Sequence, residues 1–167
     1  MAHPIRMVVV LYNVRSAHNV GSIFRTADAL GVEKIFLCGI TPKPGKAGPL
    51  ASLRAGKDLA KTALGAERTV PWEYAKRTSD CLKRLKKQGF RVVALEQNKR
   101  AVDIRMFKTP STLALVVGAE ITGISKQILA QCDTIVQIPM FGKKESLNVS
   151  VAFGVAGYWI KLKQDKD

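Results

Sequence analysis

MVVVLYNVRSAHNVGSIFRTADALGVEKIFL, residues 7–37, decides the fold. The β-branched run at residues 7–11 and a second at 34–37 read as short buried strands. Between them Val20, Ile23, Ala27 and Leu30 recur at helical spacing, Asn19 can cap the helix, and Gly31 supplies its stop. A strand, a helix and a strand in so short a stretch pack most simply as a parallel pair with the helix laid across one face.

The same alternation continues outward. Further strands are expected at residues 91–95, 113–117 and 134–138, with a weaker one around Val70. Ser79 can cap a helix carrying Leu82 and Leu85 up to Gly89, Ser125 another through Leu129, and the last helix runs over about 147–163. Residues 40–56, rich in proline, glycine and lysine, read as a loop that is either anion-seeking or a plain connector. With no internal repeat and no linker composition, the expectation is a single α/β domain over 1–167, its largely parallel sheet flanked by helices on both faces.

Of the 167 residues, 27 are Lys or Arg and 13 Asp or Glu, which leaves a net charge of +14 and directs attention to polyanions. Two groups are visible: Lys43, Lys46, Arg54, Lys57 and Lys61, then Lys76, Arg77, Lys83, Arg84, Lys86, Lys87 and Arg91. A phosphate backbone is the economical partner, and a merely solubilising basic surface the bland alternative. No run reaches the roughly 20 apolar residues of a membrane helix, and the first residues have too short an apolar run for a secretory leader, so a cytoplasmic setting is expected. Cys38, Cys81 and Cys132 lie far apart beside apolar neighbours, as reduced buried thiols do, and with two histidines beside them no metal site is expected.

Three motifs carry polar residues where packing alone would not put them. In the first, residues 13–31, helical arithmetic points Arg25 away from the apolar stripe, between Ser22 and Ala29, whose small side chains leave the guanidinium a clear approach. An ordinary solvated arginine has the same spacing. The second, LALVVGAEITGIS (113–125), ends an apolar strand at Gly118 and reaches Glu120, Gly123 and Ser125 before the next helix. It resembles a dinucleotide turn, but Glu120 stands where a glycine would admit a pyrophosphate, so a neutral or cationic ligand fits better. A purely structural turn is the alternative. The third, VQIPMFGKKESLNVSVAFGVAGYW (136–159), places Ser146, Asn148 and Ser150 at the start of a helix, where capping accounts for one of the three.

Together and in this order, these segments resemble the SpoU (TrmH-like) family of the SPOUT superfamily, RNA 2′-O-ribose methyltransferases. The resemblance rests on Asn19, Gly21 and Arg25, then Gly118, Glu120 and Gly123, then Ile138, Pro139, Met140, Ser146, Leu147 and Asn148. It implies a homodimer and a deep trefoil knot at the C-terminal side of the sheet. It also implies an S-adenosylmethionine site formed by Leu95 and Glu96, by Gly118, Glu120 and Gly123, and by Ile138, Pro139, Met140, Ser146 and Leu147.

In that family's terms Arg25, Ser146 and Asn148 are the catalytic candidates, with Arg25 contributed by the opposite subunit. Asn19, Arg25, Arg54 and Lys57 are the RNA-binding candidates. The implied chemistry is an in-line attack of a ribose oxygen on the donor's methyl carbon, which depends chiefly on alignment. A guanidinium, with a reference pKa of about 12.5 or higher, is a demanding general base. The milder role is that Arg25 fixes a neighbouring phosphate and stabilises the developing alkoxide. Transfer RNA is expected ahead of ribosomal RNA, and the last helix, with Val151, Val155, Tyr158 and Trp159, is the expected dimer face. The competing readings are a non-catalytic RNA-binding module of the same fold and, disfavoured by the absent glycine pattern, a nucleotide-dependent oxidoreductase.

Overall fold

The structure is a computed structural model and describes residues 5–45 and 50–163. In chain order the elements are β1 (Arg6–Tyr12), α1 (Ala17–Ala29), β2 (Lys34–Cys38), α2 (Leu50–Ala63), α3 (Ala66–Thr69), β3 (Trp72–Ala75), α4 (Thr78–Lys87), β4 (Arg91–Leu95), β5 (Val102–Asp103), β6 (Thr112–Gly118), α5 (Lys126–Leu129), β7 (Thr134–Gln137) and α6 (Val149–Lys163). The seven strands form one sheet in the order β3-β2-β1-β6-β4-β7-β5, and every pairing is parallel.

Strand alternation splits the core in two. Met7, Val9 and Leu11 of β1, with Leu113, Leu115 and Val117 of β6, face a layer made by α1, α2, α3 and α6. Val8, Val10, Ala114 and Val116 face the other side, where α4 and α5 supply Cys81, Leu82, Leu85, Ile128 and Leu129. Burial on both faces is why these strands are nearly continuous in apolar residues. The chain leaves β4 for the edge strand β5, returns past β4 to form β6, and crosses back to insert β7 between β4 and β5.

The expected α/β architecture is present, with local differences. Ser16, not Asn19, caps α1, its side chain accepting from the Asn19 N–H at 3.2 Å. The α4 helix begins without a side-chain cap, and the Ser79 hydroxyl instead accepts from Gln131 Nε2 at 3.0 Å, tying α4 to the chain beyond α5. Val70 ends α3, and the strand expected around it lies at β3. The largest departure is α2, which occupies the second half of the stretch read as a loop. Leu59 and Ala63 are buried against the core, and Gly56 is a packing glycine, since a Cβ there would press on the Gly45 carbonyl. Lys46 lies outside the described residues.

Gly21 marks where α1 and α2 touch: a Cβ at this position would fall on Thr62 Oγ1 and the Leu59 carbonyl. Thr62 Oγ1 already donates to the His18 carbonyl at 2.8 Å, so neither helix can yield without losing a bond. Gly21→Ala is expected to lower unfolding stability by about 1–3 kcal/mol, the usual range for overpacking, read from the urea midpoint at unchanged slope.

Candidate functional site

A parallel sheet sends every carboxyl-terminal strand end to one rim, and adjacent ends in the order β6-β4-β7 bring together three loops distant in sequence. Between them lies a cleft of about 620 Å³. Leu95 and Glu96 line it after β4, Gly118, Glu120 and Gly123 after β6, and Ile138, Ser146 and Leu147 after β7. Pro139 and Met140, also expected at the cofactor, do not line it: the chain turns from the wall at Ile138 and returns at Glu145.

Glu96 fastens the first two loops. Its Oε2 accepts the Ile124 N–H at 2.8 Å and its Oε1 the Gln97 N–H at 3.1 Å. Gly123 answers two demands at once: its φ is +62°, and a Cβ there would press on Glu96 Oε2. The third loop is held by Gln97, whose Nε2 donates to the Ile138 carbonyl at 2.7 Å, while Gln137 Oε1 accepts the Asn98 N–H at 3.4 Å.

At the rim the three motifs meet in one hydrogen-bond chain. Asn19 Nδ2 donates to Glu120 Oε1 at 2.5 Å, and Asn148 Nδ2 donates to Asn19 Oδ1 at 3.2 Å. Asn148 Oδ1 in turn accepts from the Ser150 N–H at 3.0 Å, the Ser150 hydroxyl at 2.6 Å and the Val151 N–H at 3.4 Å, capping α6. An amide has one donor end and one acceptor end, so the carboxylate fixes which way each asparagine faces. Asn19, expected to touch RNA, therefore also orders the rim; Ser146 stands exposed in the cleft wall.

The cleft's electrostatics oppose those of the chain. Glu96, Glu120 and Glu145 line it against one cation, Lys126, in a protein of net charge +14. Three carboxylates to one ammonium suit a cationic ligand and repel a polyphosphate. Leu95, Val117, Ile138, Leu147 and Ala152 add apolar wall. S-adenosylmethionine, with its sulfonium, amino group and adenine, fits this donor set and volume.

Arg25 is exposed, as helical arithmetic implied, and does not line the cleft; it lies in a separate depression with Asp28, Leu64, Arg68 and Thr69. Arg54 and Lys57 are exposed on α2. Cys38 and Cys81 are free and buried, and Cys132 is free but only half-buried, its thiol pushed up to about 11 by desolvation. Among the described residues no helix is long and apolar enough to cross a membrane. Sequence reasoning passed over Gln97, Asn98, Lys126 and Glu145. The available signal for the first two was two polar side chains directly after a buried parallel strand.

Glu96→Ala removes the acceptor for the part-buried Ile124 N–H. A bond to a charged group is worth about 1.5–3 kcal/mol, so exchange of that amide is expected to accelerate by about tenfold or more, measured by hydrogen–deuterium exchange. Unchanged protection would show that the loop holds without the carboxylate.

Comparison with known proteins gives three concordant results. The model of the SpoU rRNA Methylase family matches residues 6–158. A Staphylococcus aureus protein assigned to the TrmH family of tRNA/rRNA methyltransferases is 35% identical over 157 residues, covering 94% of this chain and 59% of that protein. A Neisseria meningitidis 23S rRNA (guanosine-2′-O-)-methyltransferase is 34% identical over 149 residues, covering 89% of this chain and 55% of that enzyme. The AdoMet-bound rRNA methyltransferase of Sinorhizobium meliloti superposes with a TM-score of 0.79 at 26% identity, over 97% of this chain and 58% of that one. The chain thus spans somewhat over half the length of the curated relatives it matches.

Proposed function

Because the chain belongs to the SpoU rRNA methylase family, we propose that it transfers a methyl group from S-adenosylmethionine to a ribose 2′-hydroxyl of RNA. The observation that carries this reading is the hydrogen-bond chain from Glu120 through Asn19 to Asn148, set on the rim of an acidic, partly apolar cleft. Bound there, S-adenosylmethionine would supply an electrophilic methyl on a sulfonium, a donor whose transfer depends chiefly on alignment.

The protein's own groups then divide the remaining work. Glu96, Gly118 and Gly123 hold the loops that would carry the cofactor, and Leu95, Ile138 and Leu147 exclude water from one side of it. Asn148 has a second amide N–H beyond the one given to Asn19, and that donor would orient the attacking hydroxyl, with Ser146 beside it. Arg25 lies outside its own cleft, so in this reading it serves the cleft of a second copy, where it would hold a phosphate next to the target ribose and stabilise the alkoxide as it forms. The proton would leave to water or phosphate.

A second copy has a place to dock. Val151, Val155, Tyr158, Trp159 and Leu162 are exposed on α6, while Phe153, Ala156 and Ile160 of the same helix are buried in the core. We take the outer face as a homodimer interface, the double return of the chain around β4 as the path of a trefoil knot, and the described residues as one methyltransferase domain. Transfer RNA is the substrate class favoured over ribosomal RNA, and reduced thiols favour the cytoplasm.

The test is calorimetric binding of S-adenosylmethionine followed by mass-spectrometric mapping of ribose methylation in RNA incubated with the protein. Binding of RNA without the donor and without methylation would leave a non-catalytic module. Arg25→Ala and Arg25→Lys are both expected to lower the transfer rate by at least about 100-fold if bidentate geometry matters, whereas a lysine that restores activity would reduce the role to charge. Val155→Glu is expected to convert a dimer to a monomer in sedimentation velocity and to abolish transfer. A wild-type monomer at micromolar concentration would remove both the interface and the action of Arg25 across it.

A further inference from the structure

The depression that contains Arg25, about 550 Å³ and open to solvent, shares no lining residue with the cleft. It runs along α1 and the turn joining α2 to α3, and it brings in a second cation, Arg68. Both guanidiniums are exposed, and among the described residues neither forms an ion pair or a side-chain hydrogen bond.

One carboxylate, Asp28, lines the same cavity and Glu67 adjoins Arg68 in the chain, but neither pairs with a guanidinium. Asp28, three residues from Arg25 on α1, accepts the Thr69 hydroxyl at 3.0 Å, and Glu67 accepts the Gly65 N–H at 3.0 Å. Two guanidiniums against one carboxylate leave the cavity an excess of positive charge and both planar donor forks unspent, an arrangement that favours an external anion. The turn between the helices is held in the left-handed region at two successive residues, Leu64 (φ +50°) and Gly65 (φ +95°). That conformation is costly for leucine, and the Leu64 side chain stands 66% exposed at the cavity wall. A strained residue that shows an apolar surface beside two arginines matches a ligand with an anionic and an apolar part.

We propose that this cavity is a phosphodiester subsite for the RNA substrate, in which Arg25 and Arg68 grip one backbone phosphate and Leu64 contacts the attached nucleoside. The proposal rests on the reading that the chain works on RNA, and it assigns Arg68 as an RNA-binding residue.

The experiment measures affinity for bulk transfer RNA as a function of salt, with inorganic phosphate as a second probe and S-adenosylmethionine binding as an independent readout. Arg68→Ala is expected to weaken RNA binding by about tenfold at moderate salt and to make the slope of log K against log salt shallower by about 0.7–0.9, the value of one phosphate contact. Asp28→Asn, which removes the competing charge, is expected to strengthen RNA binding. S-adenosylmethionine affinity and thermal melting should be unmoved by Arg68→Ala, because the residue is exposed and outside the cleft. Unchanged RNA affinity and slope in Arg68→Ala would overturn the proposal. So would an Arg68-dependent part of RNA binding that inorganic phosphate, at matched ionic strength, fails to weaken, since a pair that grips a phosphodiester is also open to competition from the free anion. If the protein neither binds the donor nor methylates RNA while the Arg68 effect remains, the methyltransferase reading falls and the subsite stands.

Discussion

Everything at the rim depends on one directional constraint: all seven strands run the same way. Only then do the chain segments after Leu95, Gly118 and Gln137 emerge side by side, although the sequence separates them by tens of residues. Reversing any one of β4, β6 or β7 would send its loop to the opposite rim and remove a wall of the cleft. Parallel neighbours need long crossovers, and this sheet takes them in an order that doubles back twice, past β4 to form β6 and again to place β7. The polar clamps around Glu96 and Gln97 hold the loops this path brings together: Glu96 to Ile124, Gln97 to Ile138, Asn98 to Gln137.

Charge is partitioned with equal consistency. A chain of net charge +14 is suited to polyanions, while the cleft, among the described residues, is lined by three carboxylates and one lysine. Were the cleft as basic as the surface, an RNA phosphate would compete for the place of a cationic donor. An exposed ion pair is worth only about 0–1 kcal/mol, so the acidic lining biases which charge enters the cleft. Glu120 serves both purposes, because the carboxylate that colours the cleft also sets the direction of the Asn19 and Asn148 amides.

Five of the seven strands and both core faces were legible because residues buried on each side of a sheet are apolar nearly without break, a signal local in sequence that the short edge strands β3 and β5 lack. What escaped was non-local or ambiguous. Ser16 and Asn19 are both competent caps, and the choice between them is made by Glu120, 101 residues away, which engages the asparagine. The α2 helix was hidden by the proline and glycine of residues 40–56, since nothing in sequence shows that Gly56 is needed for contact with Gly45 rather than for breaking a helix. Glu120 could be read as an obstacle to pyrophosphate, yet its partner could not be named. The cleft-lining residues drawn from the motifs fell in place except Pro139 and Met140, which sit where the chain turns out of the wall.

The final helix joins these levels. Its N-terminus is capped by Asn148, the last member of the rim chain, and its far end is tied down where Lys161 Nζ donates to the Ile5 carbonyl at 2.8 Å and Lys163 Nζ to the Arg105 and Phe107 carbonyls at 2.8 and 3.1 Å. One face packs Phe153, Ala156 and Ile160 into the core, and the other presents Val151, Val155, Tyr158, Trp159 and Leu162. The Asn148–Asn19 bond, at 3.2 Å and exposed, is the longer of the two that link the three motifs, and Asn148 supplies it from the same side chain that caps the helix. One helix therefore carries both the rim asparagine at its start and the exposed apolar face along its length, so the position of each is fixed by the same packing of Phe153, Ala156 and Ile160.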